Sequence, residues 1–329
     1  MELMLCNHSS YPRIGDDAEH QLLRRTIAQR DKGEKTDEAV RAAQDRMTEL
    51  ALAEQVEAGL DLVTDGQIRW PDPISHLAAK LSGVRINGLL RFFDTNFYFR
   101  QPVVQGKLER IEPLLLEEFK FAQENSARPV KAVLTGAYTL ARYSVEEARG
   151  ASGFDKMLEG YTAALAAEVA ALAAAGAKVI QIEEPALLRY VDDFSRFEQS
   201  LTALAMSKDS AQLALAFYFG DPVPIYDHLQ TLPVDLLGFD FTYNPDLVDR
   251  IASNGTARTL ALGLVDGRNT RLENAAAVAR QLEKLARGAD LKRAYLSPSC
   301  GLEFLPRDRA RQKLKHLAVI RNTFLGSPS

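Results

Sequence analysis

KVIQIEEP, residues Lys178–Pro185, is a short β-branched and aliphatic run that ends in two carboxylates and a proline. Helical periodicity over Ser144–Ala175 leads into it. Runs of the same kind recur at Leu3–Ser10, Leu60–Gly66, Lys131–Ala137, Leu213–Gly220, Leu236–Thr242, Thr259–Arg268 and Ala294–Gly301. They are nearly continuous in apolar character rather than alternating, which is the pattern of strands buried on both faces of a parallel sheet. Helical periods occupy segments between them, at Thr36–Ala58, Asn274–Ala286 and Arg307–Thr323 among others. This alternation predicts a closed (β/α)8 TIM barrel, with its active site at the carboxyl ends of the strands, rather than an open doubly wound sheet. A length of 329 residues allows one large barrel or two average domains. No Pro/Gly/Ser-rich linker divides the chain, so residues 1–329 are expected to form a single domain.

Composition bounds the class. Hydrophobic residues make up 46% and charged residues 26%, enough for a sizeable core. A formal net charge of -4 argues against nucleic-acid or anionic-membrane partners, which require a basic surface. Two cysteines, Cys6 and Cys300, are too few for a disulfide framework and point to a reducing, cytoplasmic compartment. The opening MELMLCNHSSYPRIG lacks the basic and apolar regions of a secretory signal. Glu168 and Lys178 interrupt the apolar stretch Tyr161–Val179, which reads as a buried helix rather than a membrane span.

The strand ends carry the candidate chemistry. They deliver Cys6, His8, Ser9 and Ser10, then Asp65, Gln67 and Trp70, then Tyr143, Gln181, Glu183 and Glu184. Tyr218, Asp240, Arg268 and Cys300 follow. The ring is acidic, with Arg268 its main fixed cation, and suits an amino group or a divalent metal. Glu183 and Glu184 are adjacent, so only one can point inward and the other anchors a neighbouring segment. Cys300 and Asp240 are candidate metal ligands. Cys6 and His8 lie on one side of their strand and complete a set only if that side faces the axis. The long aromatic segment Val84–Pro113, between the second and third strands, is either a functional insertion or a hairpin packed on the barrel wall. There is no P-loop, no Gly-x-Gly-x-x-Gly after the first strand and no Gly-x-Ser-x-Gly elbow.

The stretches SSYPRIG, EAGLDLVTDGQIRWPD, RFFDTNFYFRQPV, KAVLTGAYTLARYS, VIQIEEPALL, LGLVDGRNTRLE and SPSCGLEFLPRDRARQKL run in order from Ser9 to Leu314. On them the chain resembles the cobalamin-independent methionine synthase family in its short, single-barrel form. The resemblance implies a methyltransferase that methylates the thiol of homocysteine, or of a related small thiol or amino acid, with zinc presenting the thiolate. It implies zinc ligands at a fifth-strand His-x-Cys pair, a sixth-strand acid and an eighth-strand Cys. Here these are Leu215 and Phe217, Asp240, and Cys300, so half the set is replaced, with His8 or Cys6 left to complete a metal site. Ser10, Gln67 and Glu183 match the amino-acid-binding positions, with Gln67 where a Glu is usual and Glu183 where an Asp is usual. Ser9, Trp70, Tyr218 and Arg268 complete the expected substrate-binding set. Tyr143 and the aromatic insertion would cover a flat methyl donor, a folate or a corrinoid. Glu183 and Asp240 are the expected catalytic residues, with Glu183 as general base if no metal binds. The Tyr-Phe-Gly-Asp after the fifth strand also resembles the non-catalytic half of the long enzymes, which implies the alternative of a binding partner for a separate catalytic subunit.

Overall fold

The computed structural model describes residues 3–147 and 153–326. Ten strands follow in chain order: β1 (Met4–Leu5), β2 (Leu81–Arg91), β3 (Tyr98–Arg110), β4 (Ala132–Thr135), β5 (Val145–Glu146), β6 (Val179–Glu183), β7 (Gln212–Phe217), β8 (Leu236–Asp240), β9 (Thr259–Val265) and β10 (Tyr295–Pro298). Seven of them form one parallel sheet in the order β1-β10-β9-β8-β7-β6-β4. Leu62 bridges to Cys6 and Val63 to Val130, both in parallel, so this short segment closes the curled sheet between β1 and β4. The eight apolar runs of the sequence are these eight staves. Strands β4, β6, β8 and β10 are buried at every residue, as unbroken apolar runs require.

The helices are α1 (Leu22–Asp31), α2 (Asp37–Glu57), α3 (Ser75–Ala78), α4 (Leu116–Glu124), α5 (Ala137–Tyr143), α6 (Gly153–Ala174), α7 (Phe194–Met206), α8 (Tyr226–Thr231), α9 (Leu247–Asn254), α10 (Ala275–Leu285) and α11 (Arg307–Leu325). Asn274 caps α10 by accepting from the Ala277 amide at 2.9 Å. The predicted helix Ser144–Ala175 is shorter than expected. Ser144 is extended, with its hydroxyl bonded to the Leu140 carbonyl, and Val145–Glu146 pair with β3. Residues 148–152 of that prediction lie outside the described residues. The apolar helix α6 buries Tyr161, Leu165, Val169 and Leu172 on one face and packs between α5 and α7.

The aromatic insertion is a hairpin. β2 and β3 pair antiparallel and form a separate small sheet with β5. Gly83 (φ +73°) allows the irregularity at its base, where a side chain would strike the Lys107 carbonyl.

Inside the barrel, alternate residues of each strand face the axis. Cys6, Leu62, Val179, Ala214, Leu236 and Tyr295 pack there as a separate apolar cluster. This parity corrects one expectation. Leu215 and Phe217 face the helices, where Phe217 stacks on Phe239 and meets Phe197 of α7 edge-on. The axis-facing residues at that level are Ala216 and Tyr218.

Candidate functional site at the barrel mouth

The strand ends converge on a narrow pocket, with room for about one water molecule, lined by Ser9, Ser10, Gln67, Pro73, Phe92, Glu183, Tyr218, Gly301, Glu303 and Phe304. Glu183, the last residue of β6, is its most heavily bonded group. Its Oε1 accepts from the Gln181 amide at 3.0 Å and lies 3.2 Å from His8 Nδ1, and its Oε2 accepts from the Tyr218 hydroxyl at 3.1 Å. Burial alone would push this carboxyl up. His8, Ser9 and the charge of Lys131 outweigh it and hold the carboxyl below its ordinary value. Glu183 is therefore held toward its charged form, which suits a counter-ion. Glu184 points the other way, as strand parity demands, and accepts from the Tyr138 and Thr139 amides and the Thr139 hydroxyl at the start of α5.

Among the described residues the buried Gln67 Nε2 in the pocket wall has no hydrogen-bond partner, while the Ser10 hydroxyl beside it faces the Glu303 carboxyl. Leaving such a group unmet costs about 1–3 kcal/mol, so the Gln67 amide is poised for a ligand. Gln67 holds φ +52°, and Phe93 (+53°) and Phe219 (+62°), also beside the mouth, share that left-handed conformation. Non-glycine residues seldom occupy it outside sites where the surroundings impose it. Glu303, which the sequence reading did not single out, also lines the cavity. Burial raises its carboxyl to about 7, against the charge of Arg13, with that of Glu183, and against a hydrogen bond from the Ser10 hydroxyl.

The hairpin forms the roof. Phe92 and Phe93 meet Phe219 and Tyr143 at ring distances of 5.5–6.5 Å. Arg268 stacks over Phe219 at 4.7 Å and reaches Asp94 at the hairpin tip at 3.3 Å. Tyr143 and Arg268 thus belong to the roof and rim rather than the cavity wall. Trp70 is turned away. Its ring stacks on His76 and its indole N–H donates to Glu118, so the expectation that it lines the substrate is not met.

The expected metal set does not assemble. His8 is engaged with Ser9 and Glu183. Asp240 spends one oxygen on the Thr242 amide and hydroxyl and the Tyr243 amide, while burial raises its carboxyl. Burial and the nearby Asp240 push the Cys300 thiol well up. Among the described residues no group of three His, Cys, Asp or Glu side chains is arranged to hold a metal ion. Cys6 sits in the apolar cluster below, its thiol raised by burial. Elemental analysis of the purified protein beside Cys300→Ser tests the set directly. One zinc per chain that disappears in the variant would make Cys300 a ligand, and no zinc in either protein would show that Asp240, Cys300 and His8 do not hold one.

The model of one protein family, described as the catalytic domain of cobalamin-independent synthase, matches residues 10–322. The chain belongs to this family. The methionine synthase of Saccharolobus solfataricus is 29% identical over 307 residues, 93% of this chain and 90% of that protein. That of Saccharolobus islandicus (strain L.S.2.15) is 30% identical over the same shares. Among solved structures, a B12-independent methionine synthase from Shewanella sp. W3-18-1, in complex with selenomethionine, superposes with a TM-score of 0.82 at 19% identity, covering 99% of this chain and 98% of that one. A putative vitamin-B12 independent methionine synthase from Listeria monocytogenes gives 0.76 at 17%, covering 96% of each. These two likenesses establish the fold. This member of the cobalamin-independent synthase family thus keeps the barrel and its mouth, with Tyr218 and Ala216 at the axis-facing end of its fifth stave.

Proposed function

We propose that this barrel is a methyltransferase that methylates the thiol of homocysteine or a closely related amino acid bound in the mouth cavity. The observation that carries the reading is that the unpartnered Gln67 Nε2 and the Ser10 hydroxyl line the same pocket as Glu183, whose carboxyl is held below its ordinary value. A hydroxyl and an amide suit a carboxylate, and Glu183 suits an ammonium, so the wall offers both halves of an amino-acid backbone. In the transfer the acceptor thiol gives up its proton, and its sulfur bonds the methyl carbon as the bond to the donor breaks, the electron pair leaving with the donor. Glu303, with a carboxyl near 7, is the group suited to take that proton at neutral pH. The aromatic roof suits a flat donor such as a methylated folate or corrinoid. Family membership favours this reading over a purely non-catalytic partner.

The test is titration calorimetry with L-homocysteine and L-methionine, followed by methyl transfer from each donor class. The decisive variant is Gly301→Ala. A Cβ there would lie 2.0 Å from Ser10 Oγ, inside the cavity wall, although the Gly301 backbone is one that alanine adopts freely (φ -53°). Loss of ligand binding with the fold retained is expected. Wild-type protein that binds neither amino acid would refute the assignment.

A further inference from the structure

Directly below the cavity the barrel holds a buried lysine that the transfer just described does not use. Lys131 precedes β4 and is 3% exposed. Its ammonium donates to the Asn7 carbonyl at 3.0 Å and to Gln181 Oε1 at 2.6 Å. An ammonium can only donate, so the second bond fixes the orientation of the Gln181 amide. Gln181 Nε2 must then face upward, where it donates to Glu183 Oε1 and to the His8 carbonyl, each at 3.0 Å. The residues around this level of the axis are apolar, with Val179, Ala214 and Leu236 among them. A lysine buried there is costly unless a carboxylate compensates it, and Glu183 is the carboxylate that faces it.

We propose that Lys131 is a positioning residue: through Gln181 it holds Glu183 Oε1 inside the barrel and leaves Oε2, beside the Tyr218 hydroxyl, to select ligands that carry an ammonium group. The proposal rests on reading the cavity as an amino-acid site. The geometry has a polarity that makes it specific. Each donor in the chain Lys131, Gln181, Glu183 points toward the cavity, so changing either of the first two alters what Glu183 presents without touching the cavity wall.

The experiment compares L-methionine with its desamino analogue, which keeps the carboxylate and thioether, by calorimetry on wild type, Lys131→Met and Gln181→Glu. Wild type is expected to prefer L-methionine by about 100-fold, the scale of leaving a buried charge unpaired. Both variants are expected to lose most of that preference while binding the analogue as wild type does. A merely structural role would weaken both ligands together. Should Lys131→Met fail to fold, Gln181→Glu decides, because it keeps a partner for Lys131 and replaces the donor to Glu183 and to the His8 carbonyl with an acceptor. A folded variant with the wild-type preference, or equal weakening of both ligands, overturns the relay. Wild type that binds neither ligand, or both equally, overturns the amino-acid reading and the relay with it.

Discussion

Glu183→Gln is expected to weaken L-methionine binding by about 100-fold, the largest loss from any single substitution at the mouth. The carboxylate sits among donors: Gln181 Nε2, the Tyr218 hydroxyl and His8 all lie within 3.2 Å of it. A glutamine of the same shape offers one acceptor and one donor, so one of these groups meets an N–H instead of an oxygen. The counter-charge for the ligand ammonium disappears as well, and Lys131 loses the anion that compensates its burial. A second readout follows from the depressed carboxyl. A group whose folded-state pKa lies below its unfolded value adds stability that is present above the unfolded value and lost as pH falls toward the folded one. Wild type should therefore lose stability as the pH drops below about 4.5, the ordinary glutamate value, and Glu183→Gln should lack that share. A folded variant with wild-type affinity would remove Glu183 from the site.

The barrel was legible because strands buried on both sides leave unbroken apolar runs, and all eight runs became staves. Glu183 and Glu184 were legible for the same geometric reason, since neighbours on a strand face opposite ways. Facing on the fifth stave was not. With a period of two, a shift of one residue exchanges inside for outside, and Leu215 and Phe217 are as apolar as any core residue, so nothing local marks which set faces the axis. Ala216 and Tyr218 could be recognised only from the register of β7 against β6, which pairs Ala216 with Glu183. Trp70 escaped for a different reason. Its position after the second stave is right for the mouth, but its indole N–H needs an acceptor, and Glu118 on α4 supplies one outside the cavity. Glu303 carried no local signal, because its raised carboxyl arises from burial beside Arg13 and Glu183, residues far from it in sequence.

Glu168→Leu is expected to cost about 3–5 kcal/mol of stability, measured by urea unfolding. In the sequence this residue is merely a charge inside an apolar stretch. In the fold it is a completely buried carboxylate on α6 that receives four hydrogen bonds. Arg110 donates Nε at 2.8 Å and holds Nη2 in an ion pair at 2.7 Å, and the amides of Leu114, Leu115 and Leu116 donate at 2.9, 2.6 and 2.9 Å. The last three are the otherwise unmet N–H groups at the start of α4. Leucine would suit the apolar neighbours, yet it would strand a half-buried guanidinium and three amides at once. Restoring the pair by adding Arg110→Leu should recover only part of the loss, because the amides remain unmet. The exposed Glu159 on the same helix provides the contrast, and Glu159→Gln should stay within about 0.5 kcal/mol of wild type. Arg110 is also the last residue of β3, so this carboxylate ties the foot of the aromatic hairpin to the barrel wall. Ligand affinity should therefore fall in Glu168→Leu even where the protein is still folded, since Phe92 and Phe93 reach the mouth on that hairpin. A loss below about 1 kcal/mol, the size of an ordinary surface effect, would show that the arm is held by its β5 pairing and its aromatic contacts instead.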